Sequence, residues 1–348
     1  MRSNNKSSGK NIFNAARTGV KRHLVAETVE QYNNLYDEKK GGTLEARKTN
    51  YTQLINQYYD LATDFYQYGW GDSFHFAPRL KNESFEASLK RFELFLAQKM
   101  NLQPGKKVLD VGCGVGGPLE AIAKATGSQI TGINNNAYQL QKAKTKIAKA
   151  GLESSCNFVK GDFMQMPFAD KTFDAVYQID ATAYAPDKIK AFSEIYRVLK
   201  PGGVFAGYEW CMTNVYDSAN PQHCLLKQEI EVGDALPDLP RINDVREALT
   251  TAGFALAQVQ DRALTGELPW YLPLTSKELE LSWRSFARSR LGRTATSFTI
   301  RVLEKLRIAP QGATEVSKIL NKAGDSLVAS GELGIFTPMY FYLAQKPV

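Results

Sequence analysis

The run Asp110-Val-Gly-Cys-Gly-Val-Gly-Gly117 constrains this chain more than any other feature. Residues 107–111 form a short apolar stretch with the pattern of a buried strand, and a helical pattern continues from the run to residue 125. Glycines at 112, 114 and 117 then mark a strand–turn–helix junction, where the chain turns tightly and a ligand can approach the backbone. The rest of the chain repeats the theme. Residues 129–133, 156–160, 175–179 and 204–208 read as strands, with helices over 137–150 and 189–199 between them. A helix at 242–252 and strands at 255–260 and 339–344 complete the set. The expected fold is α/β, a doubly wound and mostly parallel sheet of seven strands.

The flanks read differently. Residues 1–50 read as a basic, poorly ordered arm; the first 22 carry Arg2, Lys6, Lys10, Arg17, Lys21 and Arg22 and no acid. Such an arm is a solvated tail or an attachment to an anionic membrane face, and no nucleic-acid-binding motif accompanies the charge. Residues 51–103 read as an aromatic helical region with helices over 51–66 and 83–99. Residues 104–263 form the ligand-binding core. Residues 264–348 form a C-terminal region in which 264–335 break the strand–helix alternation and are expected to make a lid or wall. No apolar run of 18 residues and no secretory leader pattern occur, so no membrane span is expected. The four cysteines, at 113, 156, 211 and 224, have neither zinc-binding nor disulfide-framework spacing, which predicts no metal site and a reducing compartment.

The glycine spacing alone would suit a nicotinamide dinucleotide. Three features weigh against it. Asp110 stands inside the turn, where a carboxylate suits a cationic ligand better than a pyrophosphate. The tip of the second strand reads Asn134-Asn135-Asn136 and lacks the acid that grips ribose hydroxyls in dinucleotide folds. After the third strand comes Gly161-Asp162-Phe163, an acceptor for an exocyclic amino group beside a ring to pack on it. Together these resemble the class I S-adenosylmethionine-dependent methyltransferases, with their Rossmann-like sheet. The resemblance implies that Asp110, Gly112, Cys113, Gly114, Gly116 and Gly117 cradle S-adenosyl-L-methionine, that Asn134 and Asn135 meet the ribose, and that Asp162 and Phe163 hold the adenine.

A second constellation precedes the core. Nine of the nineteen residues from Tyr58 to Phe76 are Tyr, Phe, Trp or His. A packing helix has little use for so many aromatics with polar tips, each needing a hydrogen-bond partner when buried. A pocket for a large apolar molecule, whose π faces also stabilise cations, explains them better. The stretch from Tyr58 to Pro78 resembles the aromatic region of the sterol 24-C-methyltransferases. So do Asn134-Asn135-Asn136, Ala181-Thr182, Tyr208-Glu209-Trp210-Cys211, the segment Leu268 to Pro273 and the segment Ile335 to Tyr340. The likeness runs from about residue 50 to the C-terminus.

That family methylates a side-chain alkene at C24 of a sterol. The π electrons take the methyl, a carbocation develops, a hydride shifts, and a base removes a proton. The resemblance implies a dry pocket formed by Tyr58, Tyr59, Phe65, Tyr66, Trp70, Phe74, Phe76, Tyr184 and Trp210. Asp180 and Glu209, at the ends of the fourth and fifth strands, are the leading candidates for the base, with Asp64 a third. His75 and Tyr68 are candidates to assist. The chain departs from the family at Asp180-Ala-Thr-Ala-Tyr184-Ala-Pro186, where Glu-Ala-Thr-Cys-His-Ala-Pro is expected. A mechanism that needs a histidine at Tyr184 is therefore excluded, and the base assignment stays open. A prenylquinol or an unsaturated acyl chain is the alternative acceptor, and a non-catalytic S-adenosylmethionine-binding protein is a third reading.

A sterol lives in a bilayer. Residues 283–307 carry seven basic residues against Glu304, interleaved with Trp283, Phe286, Leu291, Phe298 and Leu303. This pattern fits peripheral membrane contact, and the resemblance implies the cytoplasmic face of the endoplasmic reticulum or a lipid droplet. Assembly into a homo-oligomer is left open.

Overall fold

The computed structural model describes residues 18–277 and 282–348. Seven strands, β1 (Lys107–Val111), β2 (Gln129–Asn134), β3 (Cys156–Lys160), β4 (Phe173–Ile179), β5 (Leu199–Met212), β6 (Ala255–Asp261) and β7 (Phe336–Gln345), form one sheet. Their order is β3-β2-β1-β4-β5-β7-β6. The first five pair in parallel, and β7 runs antiparallel to both β5 and β6. The strand order reverses between β1 and β4. In a sheet of this kind that switch point opens a crevice beyond the carboxyl ends of the strands.

The sheet is buried on both faces, which is why β1 reads as a continuous apolar run: Val108, Leu109 and Val111 are all fully buried. On one face pack α4 (Phe85–Lys99), α5 (Gly117–Thr126) and α6 (Ala137–Ala150), through Phe92, Leu96, Leu119, Ile122, Leu140 and Ile147. On the other pack α7 (Lys188–Val198) and α9 (Ile242–Thr251), through Phe192, Ile195, Val245 and Leu249. Local chemistry sets the ends of α6. The Asn136 side chain accepts the Gln139 N–H at its start, and Gly151, with φ +69°, ends it in the left-handed region.

The N-terminal expectation needs correction. Residues 1–17 lie outside the described residues, but 25–49 are not a loose arm. They contain α1 (Val25–Asn34) and α2 (Leu44–Thr49), docked on α3 (Tyr51–Gly69). Val25, Val29 and Tyr32 recur at helical spacing and are buried against Leu61, Val316, Leu54 and Tyr58. The surrounding charges hide this short apolar face.

The C-terminal insertion is helical, as its pattern suggests. It contains α10 (Trp283–Arg288), α11 (Arg290–Lys305) and α12 (Ala313–Glu332). The last of these packs on α8 (Pro221–Asp234), where the approach is close enough that a Cβ on Gly233 would fall 2.2 Å from the Ala323 Cβ.

Candidate active site

One large cavity opens beyond the carboxyl ends of β1, β4 and β5, walled by α3, residues 70–76 and α10–α12. Its empty space, open mouth included, is ≈ 1830 Å³.

The glycine-rich turn forms one end. Gly112, Gly114 and Gly116 have φ of +74°, +53° and +80°, a region L side chains rarely adopt. A Cβ on Gly112 would sit 2.3 Å from the Ala181 Cβ, whereas one on Gly114 would meet nothing within 4 Å. Gly112 thus lets the turn touch the end of β4, and Gly114 leaves bare backbone at the cavity wall. Asp110 lines the cavity beside them and accepts the Tyr177 hydroxyl at 3.0 Å. Burial pushes its pKa up to about 7, against the Tyr177 bond. Cys113, Asn134, Asn135 and Phe163 line the same end. Asn134 donates to Gln139 at 2.9 Å, and Asn135 accepts from Asn56 at 3.1 Å.

Three expected cofactor residues are not in the wall. Asp162 caps the Met164 N–H at 2.8 Å and takes the Tyr51 hydroxyl on its other oxygen, so it is spent on holding the loop to α3. Gly116 caps α5, and Gly117 starts it. A Cβ on Gly117 would fall 2.1 Å from the Asp72 carbonyl oxygen. The Gly117 position is what lets the aromatic segment strap across the turn. Asp72 is held there by Lys146 at 2.7 Å and Gln67 at 2.8 Å.

That strap brings the aromatic block to the turn. Tyr59, Phe65, Tyr66, Tyr68, Trp70, Phe74, His75 and Phe76 all line the cavity, joined from the sheet side by Tyr184 and Trp210. The rings pack edge-on, as their quadrupoles prefer: Trp70 and Phe76 centroids are 4.8 Å apart at 83°. Their polar tips are satisfied by one another. The hydroxyls of Tyr59 and Tyr184 are 2.7 Å apart, and so are those of Tyr58 and Tyr66. Tyr58 stands behind this wall and does not reach the cavity, a correction to its expected role.

The carboxylates separate sharply. Asp180 lines the cavity where the turn meets the aromatic wall, one residue from Ala181. It has a φ of +59°, and neither buried carboxyl oxygen has a hydrogen-bond partner. Burial pushes its pKa up to about 8, although the His75 charge and the nearby Trp210 indole, which falls short of hydrogen-bond geometry, favour its ionised form. Glu209 is fully buried but does not line the cavity. Its carboxylate takes the Thr182 hydroxyl and pairs with Lys188 at 3.3 Å, so it is a structural ion pair and its expected role as base is corrected. Alternation along β5 explains this: Tyr208 and Trp210 share one face of the sheet, on which Trp210 reaches the cavity, and Glu209 points to the other. Asp64 accepts from Tyr138 at 2.5 Å and Lys142 at 2.9 Å and is likewise committed elsewhere.

His75 is buried and held at both ring nitrogens. Its Nδ1 faces the Phe76 carbonyl at 2.8 Å and its Nε2 faces Glu93 at 3.1 Å. Burial opposes the charge, but the Glu93 carboxylate outweighs it and the pKa is raised. The residue that sequence reasoning missed is Asp234, at the end of α8. It lines the cavity, accepts Tyr66 at 3.0 Å, and leaves its Oδ2 without a partner. Burial pushes its pKa up to about 7, opposed by the bonds from Tyr66 and Tyr58.

Comparisons with known proteins agree with this geometry. Residues 109–207 match a methyltransferase domain, and residues 283–348 match the C-terminal domain of sterol methyltransferases. The chain is 52% identical to the cycloartenol-C-24-methyltransferase of Arabidopsis thaliana, over 93% of this chain and 95% of that protein. It is 46% identical to the sterol 24-C-methyltransferase of Saccharomyces cerevisiae, over 92% of this chain and 86% of that protein. Among solved structures, the cyclopropane synthase MmaA2 of Mycobacterium tuberculosis superposes with a TM-score of 0.66 at 16% identity, over 85% of this chain and 98% of that one. A geranyl diphosphate C-methyltransferase of Streptomyces coelicolor gives 0.58 at 17%, over 86% and 98%. At such identities these two speak for the fold alone. Sheet order, glycine-rich turn and cavity together define a class I methyltransferase. Within that class, the chain belongs to the sterol 24-C-methyltransferase family.

Proposed function

We propose that this protein transfers a methyl group from S-adenosyl-L-methionine to C24 of a sterol side-chain alkene, in sterol biosynthesis. The observation that carries the reading is a single cavity with bare glycine backbone at one end, an aromatic wall beyond it, and an unpartnered buried carboxyl, Asp180, where the two meet. The relatives' activity supports it.

The residues fit the cofactor. Asp110 presents a carboxyl to the cavity for an ammonium group, and Gly114 leaves space for close approach. Asn134, Asn135 and Phe163 stand at the same end for the sugar and the base. When bound, the cofactor supplies an electrophilic methyl on a sulfonium centre.

The chain's own residues then do three things. The lid helices and the aromatic strap exclude water from an alkene that must react without a preceding deprotonation. The π faces of Tyr59, Trp70, Phe76 and Tyr184 stabilise positive charge developing on the sterol side chain. Asp180 receives the late proton. Burial pushes the pKa of its carboxyl up to about 8. Positive charge beside it favours the carboxylate, which is then a base poised near the working pH. His75 and Glu93 together are nearly neutral and orient this wall.

A panel of acceptors tests the proposal. With labelled cofactor, a sterol bearing a side-chain double bond becomes labelled. Its saturated analogue, a prenylquinol and an unsaturated acyl lipid do not. Label in the quinol or the acyl lipid alone would favour another lipid acceptor, and label in none a non-catalytic role. The same reading predicts peripheral membrane attachment at the endoplasmic reticulum or lipid droplets, which cell fractionation tests.

A further inference from the structure

The lid helices have two very different faces. Inward, Ala287, Arg293 and Thr296 line the cavity. Outward, several large apolar side chains stand uncovered by any of the described residues. Leu291 and Phe298 on α11 are 67% and 68% exposed, Leu306 just beyond it 63%, and Trp283 and Phe286 on α10 42% and 45%. Leu291, Phe298 and Val302 follow one another at seven and four residues, a single stripe along the helix.

Exposed Arg290, Arg301, Lys305 and Arg307 border this stripe. The one acid on α11, Glu304, is turned away, accepting the backbone N–H groups of Gly312 and Thr314. At the C-terminal end of α11 the Arg22 guanidinium donates to the Arg307 carbonyl. Apolar bulk ringed by like positive charge is complementary to one kind of surface, a bilayer with anionic headgroups. Among the described residues no helix is long and apolar enough to cross that bilayer.

We infer that the outer face of α10 and α11 seats on an anionic lipid surface and that a sterol enters the cavity between the lid and the membrane. The inference rests on the sterol reading above and adds the docking face. Aromatic and aliphatic side chains enter the headgroup layer while the arginines and lysines meet the phosphates. One turn of α11 separates Leu291 and Phe298 outside from Arg293 and Thr296 inside, so a lipid leaving the bilayer has a short path to the cavity.

The test uses the full chain and vesicles of phosphatidylcholine with or without about 30% phosphatidylserine. Wild-type protein sediments with the anionic vesicles and is released by high salt. The double variant Leu291→Ser with Phe298→Ser loses tenfold or more of this binding, and Arg301→Glu with Lys305→Glu loses a similar share. All four sites are exposed and outside the cavity wall, so turnover of detergent-dispersed sterol stays at the wild-type level in both variants. Turnover of sterol embedded in anionic vesicles falls with binding. Unchanged vesicle binding in both variants would overturn the inference. So would binding lost only on removing residues 1–17, or a concentration-dependent dimer abolished by the same substitutions, which would make the face a protein interface. Failure of every form to methylate detergent-dispersed sterol would instead strike the proposed function.

Discussion

Replacing Asp180 with Asn should make the protein more stable and nearly inactive at once. The folded carboxyl keeps its proton up to about pH 8, whereas the unfolded chain releases it near the ordinary value of 3.8. Folding therefore takes up a proton between these values, and stability falls as pH rises from about 4 to about 8, then levels off. At pH 7 the group stands about three pH units above its ordinary value, at about 1.4 kcal/mol each, so its burial costs at most about 4 kcal/mol. Asn carries no such cost. It is also among the residues that best tolerate the left-handed φ of +59° at this position. The variant should unfold at a higher temperature than wild type at pH 8, with the gap closing toward pH 4. Loss of a general base should cost turnover about 10²–10⁴-fold, with affinity for the cofactor little changed. Scanning calorimetry from pH 4 to 9, beside steady-state kinetics, reads both effects. A variant as active as wild type, or one destabilised at pH 8, would refute the assignment of Asp180 as a buried, unpaired base.

Other expectations follow from the same geometry. Asp110, whose pKa burial pushes up to about 7, binds an ammonium group only when ionised, so affinity for S-adenosylhomocysteine should rise between pH 6 and pH 8. Asp110→Asn should flatten that rise and weaken binding about tenfold to a hundredfold, the worth of a charged hydrogen bond; calorimetric titration checks it. Glu209→Gln should act on stability, because it leaves Lys188 without its partner in a buried pair, at about 3 kcal/mol. Its folded fraction should keep near-normal turnover, and a loss of activity without loss of stability would return Glu209 to the site. Asp234→Asn keeps the Tyr66 bond but removes a carboxyl that burial holds near pH 7. It should gain thermal stability above pH 7 and lose about tenfold in turnover if its free oxygen faces the developing cation; unfolding curves beside kinetics test both halves.

The strand–helix alternation made the sheet legible, because β1 to β5 are buried on both faces and read as short apolar runs between turns. Most of the cavity was legible too, since residues 59–76 combine ring faces with polar tips that a simple core does not use. What escaped was what period and motif cannot see. Being at the end of a strand located Asp180 and Glu209 equally well, but the two-residue alternation of β5 turns Glu209 into an ion pair away from the cavity. Asp162 had the right position for an adenine contact, yet a tyrosine 111 residues earlier claims it. Asp234 lies in a helix with no motif, and only its docking beneath Tyr66 makes it part of the site. The helices at 25–49 were concealed because their buried face is three or four residues wide. Strand β5 runs on through Pro201-Gly202-Gly203, a sequence that reads as a turn but here carries an irregular stretch of pairing.

The most direct test of the whole account is the position of the transferred carbon. Purified protein is incubated with cofactor carrying a ¹³C methyl and with a sterol bearing a side-chain double bond at C24, and the product is read by ¹³C NMR. The account predicts one enriched carbon attached to C24, with the ring system and hydroxyl unmodified. Enrichment on oxygen, on a ring carbon or in no sterol at all would contradict it.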